Sequence, residues 1–169
     1  NWQTPWKING IPKLRCNFLA NDWLTAQLLT SKPVKITIPG PLTLATYLDV
    51  SQSKYNLETL TDHLSKLINN EILDAVKKGC RHIQVDDPQL AIQPDAALNF
   101  GIHLMGKCFD GVPNEVQKYL HVCRGYPNGT TFADSTNKAS EDCYLQIMES
   151  LNESTIDVMS IENAFHPSP

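Results

Sequence analysis

Short β-branched apolar runs alternate along this chain with segments of helical periodicity, and no other feature constrains its fold as tightly. Residues 34–38, Val-Lys-Ile-Thr-Ile, alternate at period two and predict a strand stopped by Pro39-Gly40-Pro41. Residues 56–78 predict the strongest helix, with Leu57, Leu60, Leu64, Leu67, Ile68, Ile72 and Val76 at helical spacing. Lys77 and Lys78 suit the negative end of its dipole, and Gly79 is its stop. Residues 82–85 predict a second strand running into Asp86-Asp87-Pro88, and residues 94–109 a helix. Residues 119–122 predict a third strand, Asn128-Gly129 a loop, residues 137–152 a helix and residues 156–161 a fourth strand ending at Glu162.

Strands alternating with helices imply parallel crossover units in an α/β fold. Two closures satisfy them, an open doubly wound sheet or a (β/α)8 barrel. The first strand ends in Pro-Gly-Pro rather than in a G-x-G-x-x-G turn, which speaks against the dinucleotide-binding form. A complete barrel takes about 250 residues, and this chain has 169. Residues 1–169 are therefore read as a single domain, a partial barrel lacking its C-terminal strands. The chain begins with Asn1 rather than Met, as a processed chain or a fragment would.

Composition narrows the function. At 41% hydrophobic and 19% charged, the chain reads as globular. A net charge of -4 gives no basic surface for nucleic acid. No apolar run is long enough for a membrane span, and the N-terminus has no signal-peptide pattern. The five cysteines are odd in number and irregularly spaced, which favours a reduced, cytoplasmic setting over a disulfide framework. Two N-x-[ST] sequons, at Asn128 and Asn152, are short enough to arise by chance and are not read as glycosylation sites.

The chemistry lies at the strand ends. The second strand ends at Asp86 and Asp87, the third at His121 and Cys123, and the fourth at Glu162. In a parallel barrel all strands deliver their C-terminal ends to one face, where sites form. Residues two apart on a strand share a side, so His121 and Cys123 can address one ion. Imidazole and thiolate suit Zn2+, and a carboxylate is an acceptable third ligand. Bound zinc would keep a small thiol deprotonated, and thiolate is the nucleophile. The bland alternative is a buried His and Cys that simply pack. Acids before a proline can likewise cap a turn, and Asp86 and Asp87 are otherwise expected to bind substrate. Cys16, Cys80, Cys108 and Cys143 read as core or surface thiols. His63, His82 and His103 read as structural or solvated, and His166, four residues after Glu162, as a poor ligand.

Four stretches together carry a resemblance: 35–44 (Lys-Ile-Thr-Ile-Pro-Gly-Pro-Leu-Thr-Leu), 83–90 (Ile-Gln-Val-Asp-Asp-Pro-Gln-Leu), 121–125 (His-Val-Cys-Arg-Gly) and 158–162 (Val-Met-Ser-Ile-Glu). In this order and spacing the chain resembles the catalytic domain of cobalamin-independent methionine synthase and its shorter methionine-synthase-like relatives. Those relatives include the epoxyalkane:coenzyme M transferase-like short forms. The resemblance implies a (β/α)8 TIM barrel of the uroporphyrinogen decarboxylase/methionine synthase type. It implies zinc held by His121, Cys123 and Glu162, and Asp86 holding the amino group of a thiol amino acid. It also implies a transferase that alkylates, and in methionine biosynthesis methylates, a small thiol such as homocysteine. The family's fourth ligand is a Cys on a later strand, and the chain ends at Pro169 before any such strand. Methionine synthases tend to have Asp-Glu-Pro where this chain has Asp86-Asp87-Pro88, and Cys123-Arg124-Gly125 is nearer the short relatives. Thiol and alkyl donor therefore stay open, and no residue argues for folate. The expected partners are a small thiol, an alkyl donor, and the remainder of the barrel or a second copy. The competing readings are a metal-free, decarboxylase-like barrel using Asp86 or Asp87, and an inactive barrel fragment.

Overall fold

A computed structural model describes residues 6–16, 18–51, 53–125, 138–140 and 142–163. The order of elements is β1 (Trp6–Lys7), α1 (Leu19–Gln27), β2 (Ile36–Pro39), α2 (Pro41–Thr46), β3 (Leu48–Asp49), α3 (Leu57–Lys78), β4 (His82–Asp86), α4 (Gln89–Ile92) and α5 (Pro94–Ala96). A single π turn (Ala97–Gly101) follows, then α6 (Ile102–Lys107), β5 (Gln117–Val122), α7 (Cys143–Asn152) and β6 (Val158–Ile161). Among the described residues no helix is long and apolar enough to cross a membrane.

The main sheet is parallel, in the order β2-β4-β5-β6. Each new strand is added beside the last, without the reversal that defines a doubly wound sheet. Among the described residues this sheet has four strands, in the sequential order that an arc of a barrel would also show. A small parallel pair, β1 with β3, stands apart from it.

Register follows from the two-residue period. Ile38, Val85, Leu120 and Met159 stand side by side across the four strands, with the first three buried. They pack with the helices into one core that includes Leu42, Ile68, Ile72, Met105 and Ile147. The neighbouring row, Pro39, Asp86, His121 and Ser160, faces the other way and is half-buried or exposed. The sheet thus has an apolar face under helices and a polar face that carries Asp86, His121 and Ser160.

Helix α3 forms as its sequence predicts. Asn56 accepts from Thr59 N–H at 2.8 Å, Thr59 Oγ1 accepts in return from Asn56 N–H, and Gly79 closes the helix at φ 113°. Leu60, Leu64, Ile68 and Ile72 are buried along one stripe.

Other elements depart from expectation. The helix expected over 94–109 is broken into α5, the π turn and α6, and is preceded by the separate short α4. Pro94 restarts the chain after Gln93, and the π turn accommodates an extra residue. The first strand is shifted to Ile36–Pro39. Helix α7 begins at Cys143, and residues 138–140 ahead of it are not helical. Asn128 and His166 lie outside the described residues. Helix α1 was not expected: its buried stripe is short, only Leu19, Ala20 and Trp23, and Leu24 within it and Leu28 and Leu29 just after it are exposed. Its N-terminus has no cap of its own and is held by buried Glu71 of α3, which accepts from Phe18 and Leu19 N–H at 3.2 and 3.0 Å.

Candidate active site

Asp86 ends β4, and its register partner on β5 is His121, whose partner on β6 is Ser160. One alternation further, just past the ladder, come Cys123 and Glu162 on the same two strands. Four residues singled out in the sequence, Asp86, His121, Cys123 and Glu162, are thereby gathered at the C-terminal ends of three adjacent parallel strands.

Three of the four have defined hydrogen-bond partners, and the fourth, Cys123, is buried. His121 Nδ1 lies 3.1 Å from Ser160 Oγ, which orients the ring. Asp86 Oδ1 accepts from Gln84 Nε2 at 2.7 Å. Gln84 Oε1 in turn accepts from Lys35 Nζ at 2.5 Å, and that ammonium sits 4.7 Å from the Tyr119 ring centroid. Gln84 therefore fixes one carboxylate oxygen of Asp86.

Glu162 is the most elaborately held. Its Oε2 accepts from Arg124 N–H at 3.2 Å, and its Oε1 accepts from Lys138 Nζ. Its own N–H donates to the Tyr144 hydroxyl at 3.1 Å, and that hydroxyl donates to Val122 C=O at 2.9 Å. Tyr144, on α7, is buried and so ties the two strand ends together where their ladder stops. Burial pushes the Tyr144 phenol up to about 12. Burial also raises Glu162, but Lys138, the Arg124 amide and their charges outweigh it and hold the carboxyl below its usual range.

The structure places Asp87 elsewhere. The sequence reading set it beside Asp86 as a substrate-binding group, but neighbours on a strand face opposite sides. Asp87 is fully buried toward the helices, where Oδ1 accepts from Thr43 N–H at 2.9 Å and Thr43 Oγ1 at 2.6 Å, and Oδ2 from Leu42 N–H at 3.2 Å. It ties the start of α2 to the end of β4. Burial pushes its carboxyl up to about 6 against the pull of those hydrogen bonds. The folded chain thus holds this proton more tightly than the unfolded one. Asp87 contributes its full stability below about pH 4 and loses it as pH rises through about 6. The unfolding free energy of the wild type, relative to Asp87→Asn, is expected to fall by about 2 kcal/mol between pH 4 and pH 7. Urea melts of both proteins across that range check it, and a pH-independent difference would contradict it.

All five cysteines are free thiols. Cys80, Cys108 and Cys143 are buried and Cys16 is exposed, as core or surface thiols should be. His63 Nε2 meets Pro12 C=O at 2.6 Å, His82 Nδ1 meets the Tyr119 hydroxyl at 3.2 Å, and His103 is exposed. None of the three joins the strand-end group.

The donor types, one imidazole, one thiol and one carboxylate on the same face of adjacent strands, fit zinc. Their side chains are not drawn together into a ligand cage: among the described residues no three His, Cys, Asp or Glu groups cluster closely enough to hold a metal ion. Glu162 is turned to Lys138 and the Arg124 amide instead.

Comparison with known proteins bears on the same strands. The 5-methyltetrahydropteroyltriglutamate–homocysteine methyltransferase of Corynebacterium glutamicum is 30% identical over 105 residues, 58% of this chain and 14% of that protein. The methionine synthase of Saccharolobus solfataricus is 33% identical over 94 residues, 54% of this chain and 26% of that protein. Over more than half of its own length the chain is thus similar in sequence to these two enzymes. A B12-independent methionine synthase from Shewanella sp. W3-18-1, solved in complex with selenomethionine, shares the fold with a TM-score of 0.82 at 22% identity. That match covers 96% of this chain and 47% of the solved one. The chain spans less than half the length of each of these relatives. No family model matches the chain.

Sequence reasoning missed Gln84, Ser160, Lys138 and Tyr144. Gln84 and Ser160 were within reach of it, because each lies two residues before a site acid on the same strand face. Lys138 and Tyr144 reach Glu162 only through the tertiary fold.

Proposed function

We propose that this chain supplies the thiol-activating face of a zinc-dependent transferase that alkylates, and most naturally methylates, a small thiol such as homocysteine. The observation that carries the reading is the row Asp86-His121-Ser160 with Cys123 and Glu162 one step above it, at the C-terminal ends of adjacent parallel strands. The named activities of the curated relatives, methionine synthesis and methyl transfer to homocysteine, support the same chemistry.

His121, Cys123 and Glu162 would hold the ion. Zinc in such a site would supply Lewis acidity that keeps a coordinated thiol deprotonated near neutral pH. Ser160 fixes the His121 ring through Nδ1. Gln84 takes one oxygen of Asp86 and so aims the other at an incoming ammonium group. Tyr144 holds the Glu162 backbone against Val122 and sets the spacing of the β5 and β6 ends. These groups orient a thiol amino acid with its sulfur beside Cys123. The alkyl donor, the remaining barrel strands or a second copy, and a reducing cytoplasmic setting complete the proposal.

Proton release tests it. Homocysteine added to the zinc-loaded chain at pH 7 should release about one proton per thiol bound, because a free thiol is largely protonated there. Cys123→Ser should release none. Homocysteine binding without proton release would contradict thiol activation.

A further inference from the structure

The sequence singled out three ligand candidates, and the structure adds a cation on one of them. Lys138 Nζ donates to Glu162 Oε1, while Arg124 N–H donates to Oε2. Both carboxylate oxygens are engaged, and the ion pair is mostly shielded, with the two side chains 18% and 25% exposed.

Lys138 is brought there by a specific strap. Ala139 N–H donates to Arg124 C=O at 2.8 Å, and Arg124 Nε donates to Ala139 C=O at 3.1 Å. This pair of hydrogen bonds fixes the backbone beside Lys138 to the residue that follows Cys123. Arg124 is itself buried. The ammonium is therefore held at the site by main-chain contacts as well as by its own charge. The chain's other described ion pairs, Lys66 and Lys107 with Asp62, are more open on their lysine side.

We infer that Lys138 is an affinity-setting residue of the metal site, a built-in cation that competes with a divalent ion for the Glu162 carboxylate. This inference rests on the zinc reading above. An ammonium and a divalent cation seek the same negative charge, and at contact distance in a shielded site they repel each other with little screening by salt. For Glu162 to ligate, Lys138 must withdraw or share its oxygen, and either costs binding energy. The device tunes the site toward exchangeable ligation by Glu162, leaving His121 and Cys123 as the constant pair.

The experiment is zinc binding by competition with a chromophoric chelator, on the full chain after chelator stripping. Lys138→Gln removes the competing charge and should bind zinc about tenfold more tightly. Lys138→Arg keeps the charge and should stay near wild type, as should Lys66→Gln, which changes an ion pair on α3. If Lys138→Gln binds zinc no tighter than a zinc-binding wild type, the inference is overturned and the zinc reading stands. If Lys138→Gln binds zinc where wild type does not, the inference is supported. If neither binds zinc, the zinc reading is overturned and the inference goes with it.

Discussion

Replacing Gly40 by Ala is expected to lower the melting temperature by about 10 °C, the loss of about 3 kcal/mol or more in a chain of this size. Gly40 has an ordinary backbone, with φ -74° and ψ 159°, so the requirement for glycine is spatial rather than conformational. A Cβ built there would sit 2.4 Å from Cβ, Cγ and Oδ2 of Asp87. Asp87 cannot swing away, because both its oxygens are tied to Leu42 and Thr43 and its side chain is fully buried. Gly40 N–H also donates to Asp86 C=O at 2.7 Å, so the strain passes directly into the strand end that carries Asp86. Removing only the carboxylate, as in Gly40→Ala with Asp87→Ala, should recover part of the loss, because the Asp87 Cβ itself remains in the way. Gly40→Ala with Asp87→Gly should relieve the clash further. Thermal melts of the single and double variants check this order, and a Gly40→Ala protein that melts like wild type would contradict it.

The second large effect is expected at the ligands. Cys123→Ser and His121→Ala should each weaken zinc binding by more than about a hundredfold, beyond the 10- to 100-fold typical of an outer partner. Ser160→Ala should fall within that lower range, because Ser160 touches the ring only through Nδ1. The ranking matters more than any single value. If Cys123 and His121 merely packed, as a buried Cys and a half-buried His can, their replacement would change melting temperature and leave metal affinity alone. Chelator competition and thermal melts on the same samples separate the two outcomes.

These predictions also show which parts of the molecule were legible in its sequence. The sequence pattern identified the four strands of the main sheet but not the short β1 and β3, and the stop of α3 stands where Gly79 puts it. Alternation also places His121 and Cys123 on one face. It says equally that Asp86 and Asp87 face opposite sides, so only Asp86 shares the face of His121. The parallel register that sets Asp86 beside His121 and Ser160 needs the folded sheet, because it depends on how far each crossover shifts its strand. Helix α1 was illegible because its buried stripe is only Leu19, Ala20 and Trp23, the exposed leucines Leu24, Leu28 and Leu29 blur it, and its N-terminus is held by Glu71, far along the chain. The break over 94–109 follows from Pro94 and a π turn, which periodicity over a whole window averages away. The ion pair between Lys138 and Glu162 joins residues across an intervening helix, and no local pattern announces it.

His121, Cys123 and Glu162 are proposed to form a zinc site on the polar face of the sheet. Metal analysis of the purified chain tests it most directly, in wild type, Lys138→Gln, His121→Ala and Cys123→Ser prepared side by side. About one zinc per chain in wild type, lost in both ligand variants, is the expected result. Zinc missing from wild type and from Lys138→Gln alike, or zinc retained undiminished in both ligand variants, would contradict this assignment.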